Sequence, residues 1–229
     1  LNFSFLPKYY MYFIDGASVT ILISIITIIC GTILGGILAL MKLSKNRILR
    51  LLANLYIEIL RGTPMLIQIL IGFGLLQGIF PSLTLNFGVL AIDLGRLIPG
   101  MIVLSLNSGA YVAEIVRGGI VAVNFGQQEA AYSLGLRPFQ AMRYVILPQA
   151  IRNILPALGN EFIILIKDSS LLSSIGIYEL LSSSQIIISR SFIPLEPLYI
   201  AAGIYFILTF ITSRLLNLFE KKLGKGYRR

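Results

Sequence analysis

Glu129-Ala130-Ala131, then three residues, Gly135, nine more residues, and Val145-Ile146-Leu147-Pro148 make up a polar, basic stretch between two long apolar runs. The small pair Ala130-Ala131 allows a helix to lie close in a groove of a partner. Glu129 can pair with a basic group there or favour its own helix N-terminus. Gly135 permits a sharp turn between two short helices. Pro148 suits the first turn of the helix that follows. The spacing predicts a helix–turn–helix loop over about residues 122–148, standing in water between two membrane spans. An ordinary amphipathic helix pair is the plainer reading of the same residues.

Composition supports the membrane setting. The chain has 229 residues, 56% of them hydrophobic and only 13% charged, where a soluble domain carries about 25%. Its mean hydropathy is +0.86. The absence of histidine excludes Ser/His and Cys/His catalytic pairs and histidine-held metals. A single cysteine, Cys30, excludes an internal disulfide. No phosphate-cradling G-x-x-x-x-G-K-[ST] loop occurs. The first apolar run is longer than a signal-peptide core.

Five stretches read as spans: residues 17–41, one within 51–80, 97–121, 151–166 and 198–218. A span needs about 20 residues. Residues 51–80 would form about 45 Å of helix, so their beginning is expected along the cytoplasmic interface, with a bend at Gly62-Thr63-Pro64. The fourth span is short, and Pro156 and Gly159 are expected to interrupt it. Residues 173–188 are weaker and are expected between spans at the outer face.

The net charge of +9 lies in alternate loops, not in one nucleic-acid-binding patch. Lys42, Lys45, Arg47 and Arg50 fill the first connection. Arg117, Arg137, Arg143 and Arg152 flank the third. Arg214, Lys221, Lys222, Lys225, Arg228 and Arg229 crowd the C-terminal end, so 14 of 19 cations fall on one side. That side is expected in the cytoplasm, with the N-terminus outside and the C-terminus inside.

The loop at Glu129–Pro148 resembles the "EAA" loop by which permeases of ABC importers dock on their ATPase. Two further stretches narrow the resemblance. Tyr56-Ile57-Glu58-Ile59-Leu60-Arg61-Gly62-Thr63-Pro64 is similar to the E-x-x-RGTP signature of the polar amino acid importers, and residues 107–120 to the stretch before their EAA loop. Leu158-Gly159-Asn160-Glu161-Phe162 and Gly16-x-x-x-Thr20 fit as well. The resemblance implies an all-α, type I (MetI-like) permease of five transmembrane helices in one domain, residues 1–229. It implies a multi-pass subunit of a prokaryotic inner membrane that catalyses no covalent chemistry. Its partners would be two ATP-binding subunits, a second permease copy or homologous sister, an external solute-binding protein, the amino-acid solute and membrane lipid, with no nucleic acid. This chain would hold no cofactor; ATP and Mg would sit on the ATPase subunits. Import of another small solute and gradient-driven secondary transport are the alternatives. The latter has no need of the EAA loop, and no inverted repeat is visible.

Glu129, Ala130, Ala131, Gly135, Leu147 and Pro148 are thus the coupling candidates. For the solute path, Glu161 stands first, because an ionisable group within a span is costly and usually faces a cavity. Asn160, Asn107, Ser108 and Gln68 join it as hydrogen-bonding groups, with interhelical packing as the alternative. Glu58 with Arg61, and Glu114 with Arg117, are three apart on helices and are expected to form structural ion pairs. Lys167 and Asp168 are expected as interfacial anchors.

Overall fold

The computed structural model describes residues 2–224. Lys225, Arg228 and Arg229 of the charge count lie outside the described residues. In chain order the elements are α1 (Leu6–Leu43), α2 (Arg47–Gly62), α3 (Met65–Leu76), β1 (Thr84–Phe87), β2 (Leu90–Asp93), α4 (Leu94–Val121), α5 (Phe125–Ser133), α6 (Pro138–Ala141), α7 (Leu147–Asp168), α8 (Leu180–Ser191) and α9 (Glu196–Gly224). A π-turn, Met142–Ile146, joins α6 to α7, and a 3-10 turn, Ser169–Ile175, follows α7.

Among the described residues, α1, α4 and α9 are each long and apolar enough to cross a bilayer. Two bent pairs bring the number to as many as five: α2 with α3, bent by 111°, and Pro138–Ile175 with α8, bent by 47°. Residues 151–166 lie inside the second of these pairs. They belong to α7, which runs unbroken through Pro156 and Gly159, contrary to the expected interruption. A proline removes one backbone donor, but α7 is held between α4 and α9, and packing on both sides keeps it helical.

The bend between α2 and α3 falls at the expected residues. Pro64 has no N–H to offer the carbonyl of Leu60 one turn back. A partly buried carbonyl left without that donor needs another, and two side chains supply it. The Gln68 Nε2 donates at 2.7 Å and the Asn107 Nδ2 at 3.2 Å. Gln68 also donates to the carbonyl of Thr63 at 3.0 Å and to its hydroxyl at 2.7 Å.

The chain is not wholly α-helical. β1 and β2 pair antiparallel through a two-residue turn at Gly88 and Val89. Asp15 of α1 accepts a hydrogen bond from Val89 N at 2.7 Å, fastening the hairpin to the N-terminal half of α1. α8 packs at that same end. Its N-cap, Glu179, is fully buried and accepts from the N–H groups of Leu181 and Ser182 and from the Tyr205 hydroxyl of α9. The α5–α6 loop lies beyond the opposite, C-terminal end of α4.

α1 and α4 form the centre of the bundle. Lipid tails are as apolar as leucine, so association of spans rests on close packing of small residues. A Cβ built on Gly35 of α1 would stand 2.6 Å from the Val112 Cβ of α4, whereas one on Gly36 meets nothing within 4 Å. Gly35→Leu is therefore expected to destabilise the fold by about 1–3 kcal/mol through overpacking, while Gly36→Leu stays near neutral. Thermal midpoints of the two variants in detergent check the difference.

Candidate functional site

Two sites take shape at different depths of the bundle. The first is the loop after α4. Asn124 caps α5, its side chain accepting from Gly126 N at 2.8 Å. At the other end of α5, Gly135 N bonds the carbonyl of Tyr132 at 2.9 Å and Leu136 N bonds that of Ala131 at 3.1 Å. This pair of bonds is a Schellman motif, with Gly135 in the left-handed position it requires; its φ is +79°. The three residues between Ala131 and Gly135 are thus the number needed to place a glycine just past the helix end.

α5 turns one side inward and the other to solvent. Ala131 is buried, while Glu129 and Ala130 are exposed. Gln140 accepts from Arg137 N at 2.9 Å and starts α6. Leu147 opens α7, and Pro148 lies in its first turn. Leu134, Phe139, Phe125 and Tyr144 are 83%, 73%, 68% and 65% exposed. Sequence reasoning missed this apolar surface. Its only signal was four large apolar side chains in an otherwise polar, basic loop.

Glu114 ties the base of this loop to the bundle. It pairs with Arg117 at 3.0 Å on α4 and with Lys42 of α1 at 2.6 Å. Lys42 had been counted only as a loop cation. Glu58 and Arg61 are not joined, although they share a face of α2. The three ion pairs among the described residues are Lys42–Glu114, Arg117–Glu114 and Arg96–Asp93. Arg61 instead lies over the ring of Tyr111, 5.2 Å from its centroid. An exposed ion pair contributes little, and an aromatic face competes with it.

The second site is a pocket of about 190 Å³ lined by Thr63, Met65, Asn107, Tyr111, Glu161, Ile164 and Asp168. Glu161 is 5% exposed, and its Oε1 accepts from the Ser108 hydroxyl at 3.0 Å. Its Oε2 has no protein partner among the described residues, and no cation lies within ion-pairing distance of it. Asn107 lines the pocket, but its amide nitrogen is shared between Gln68 Oε1 and the Leu60 carbonyl. Gln68 serves the bend and does not line the pocket. Asn160 is exposed and outside the lining, because one residue along a helix turns the side chain by about 100°. Asp168, expected as an interfacial anchor, lies seven residues from Glu161 on the same side of α7 and lines the pocket. That spacing, and the four residues from Asn107 to Tyr111, were the signals available.

A mostly helical bundle with several long apolar helices, a pocket inside it and a capped loop at one end is the build of a multi-pass membrane protein. Residues 31–225 match the family described as the inner membrane component of binding-protein-dependent transport systems, and this chain belongs to that family. A Rickettsia felis protein assigned by name to a glutamine transport system as its permease is 40% identical over 224 residues, covering 96% of this chain and 98% of that one. The glutamine transport system permease of Escherichia coli K12 is 36% identical over 210 residues, covering 92% of each. A crystal structure of an amino acid ABC transporter with histidines superposes with a TM-score of 0.87 at 43% identity, covering 97% of this chain and 99% of that one. The fold is that of MetI-like ABC permeases, and the chain is a multi-pass, non-catalytic inner membrane subunit.

Two outcomes follow from the loop. Gly135→Val forces a β-branched residue to a positive φ and is expected to cost about 1–3 kcal/mol locally, loosening the turn while the spans stay folded. Limited proteolysis within residues 125–141 should quicken, and Gly135→Asn should restore part of the protection. Glu114→Ala leaves Lys42 and Arg117 without their carboxylate. At 18% exposure the expected loss is about 1–2 kcal/mol, read as a lower thermal midpoint in detergent.

Proposed function

We propose that this chain is the permease of a type I ABC importer that moves a polar amino acid into the cytoplasm. Its single domain, residues 1–229, crosses the membrane five times, with the N-terminus outside and the α5–α6 loop and C-terminus inside. The charge asymmetry supports that orientation. Two ATP-binding subunits dock on the loop through Glu129, Ala130, Ala131 and Gly135, with Leu147 and Pro148 setting the start of α7. ATP and Mg belong to those subunits. A second permease copy or a sister chain completes the membrane pair, and an external binding protein delivers the solute to the end that carries the hairpin and α8.

The observation that carries the proposal is the free oxygen of Glu161 at the pocket. A carboxylate in a low-dielectric setting is costly without a counter-ion. Every amino acid carries an ammonium group that meets this need, and Ser108 holds the carboxylate in place for it. Asp168 adds a second carboxylate to the lining, which supports a solute with positive charge at that end. Closure of the ATPase pair draws the two loops together and favours the outward form; reset favours the inward one. The solute moves because its affinity differs between the two.

Reconstituted with its ATPase and binding protein, the Glu161→Gln complex is expected to need about tenfold or more solute for half-maximal ATPase stimulation, as for loss of a charge-assisted hydrogen bond. An unchanged concentration dependence would remove Glu161 from the solute path. A screen across polar amino acids with wild-type complex names the class, and no stimulation by any of them would exclude amino-acid import.

A further inference from the structure

α2 carries three distinct stripes along its length. Ala53 and Ile57 are buried and pack against Leu38 of α1 and Ala110 and Ala113 of α4. Ile48, Leu51, Leu52, Leu55 and Ile59 form a second stripe, each more than half exposed. A polar stripe beside them holds Arg47, Arg50, Asn54, Glu58 and Arg61. Arg47 and Arg50, with Lys45 just before the helix, are exposed and have no carboxylate within 4 Å among the described residues.

The arrangement needs two surroundings at once. The apolar stripe calls for hydrocarbon, and the cations call for negative charge in water. α2 is bent by 111° from α3, so with α3 pointing into the bilayer α2 lies close to the membrane plane. An interfacial helix has this orientation and this pairing of faces. A second copy of the chain would cover the apolar stripe less well. A two-fold contact brings each patch against itself, and here it would crowd cation on cation in a chain already at +9.

We infer that Lys45, Arg47 and Arg50 bind the headgroups of anionic phospholipids while the Leu51–Leu55 side of α2 sits in the acyl region, and that transport depends on this contact. The link to transport is the bend. The same helix ends at Leu60 and Thr63, whose carbonyls are held by Gln68 and Asn107, and Thr63 lines the pocket. A lipid that fixes α2 therefore fixes one wall of the pocket. Each cation near an anionic surface strengthens attachment about fivefold, so the three together give about a hundredfold.

The test uses the complete complex, with ATPase and binding protein, in vesicles of phosphatidylcholine alone or with a quarter phosphatidylglycerol. Solute-stimulated ATP hydrolysis is expected to rise severalfold with phosphatidylglycerol and to lose that gain as salt is raised. The K45Q/R47Q/R50Q complex should keep its rate in phosphatidylcholine, keep its solute dependence and lose the gain. Equal wild-type rates in both lipids, or an undiminished gain in the triple variant, would overturn the inference. So would activation by inorganic phosphate added to phosphatidylcholine vesicles. Should the triple variant fail to assemble, Leu55→Trp decides. The chain contains no tryptophan, so the difference in fluorescence between this complex and its parent reports on Leu55 alone. Quenching by brominated acyl chains supports the placement, and its absence overturns it. The Glu161→Gln complex should retain the response to phosphatidylglycerol, which separates this inference from the solute reading.

Discussion

A partly buried carbonyl that loses its helical donor must find another partner. In this chain the loss occurs at Leu60, where Pro64 cannot close the helix, and much of the polar interior answers to it. Gln68 reaches back along its own chain and Asn107 reaches across from α4. The bend is thus fixed by two elements, and the angle between α2 and α3 is set jointly with the position of α4. Asn107 and Ser108 are neighbours with different tasks. One holds the bend, and the other holds the carboxylate of Glu161 on α7. Three separate stretches of chain meet on two consecutive residues of α4.

That junction is connected to the α5–α6 loop, which α4 and α7 flank. Asn153 of α7 donates to the carbonyl of Gly119 at the end of α4, at 3.2 Å. Gln149 spans from α7 to Gln127 of α5, at 3.3 Å. Glu114 fastens α4 to α1 through Lys42. The loop is thereby tied directly to the two helices that carry Ser108 and Glu161. Between surface and pocket stand helices joined by side-chain ties, each with a named donor and acceptor.

Much of this was legible in the residues. The Gly62-Thr63-Pro64 bend, the glycine turn of the loop and the burial of Glu161 follow from properties of single residue types: a missing N–H, a missing Cβ and a costly charge. Contacts between distant stretches were harder to read. Lys42 and Glu114 are 72 residues apart, and nothing local marks them as partners. Gln68 and Asn160 looked like solute ligands because polarity in a span is conspicuous, yet polarity alone does not tell a bend's donor from a pocket's lining. The hairpin was missed for a different reason. Residues 84–93 are short strands whose turn is marked by Gly88 alone, and their placement depends on Asp15, far away in α1. Arg61 illustrates the remaining difficulty: helix spacing offered it Glu58, and the fold offered it Tyr111.

The Schellman bonds that close α5 also make the loop a ruler. What they specify is the number of residues between Ala131 and Gly135, and the side chains of Tyr132, Ser133 and Leu134 are free of that requirement. Adding or removing one residue there would take the glycine out of register with the helix end and turn everything beyond it by about 100°. This surface can therefore vary by exchange of residues, but a change of length would have to reinvent the turn.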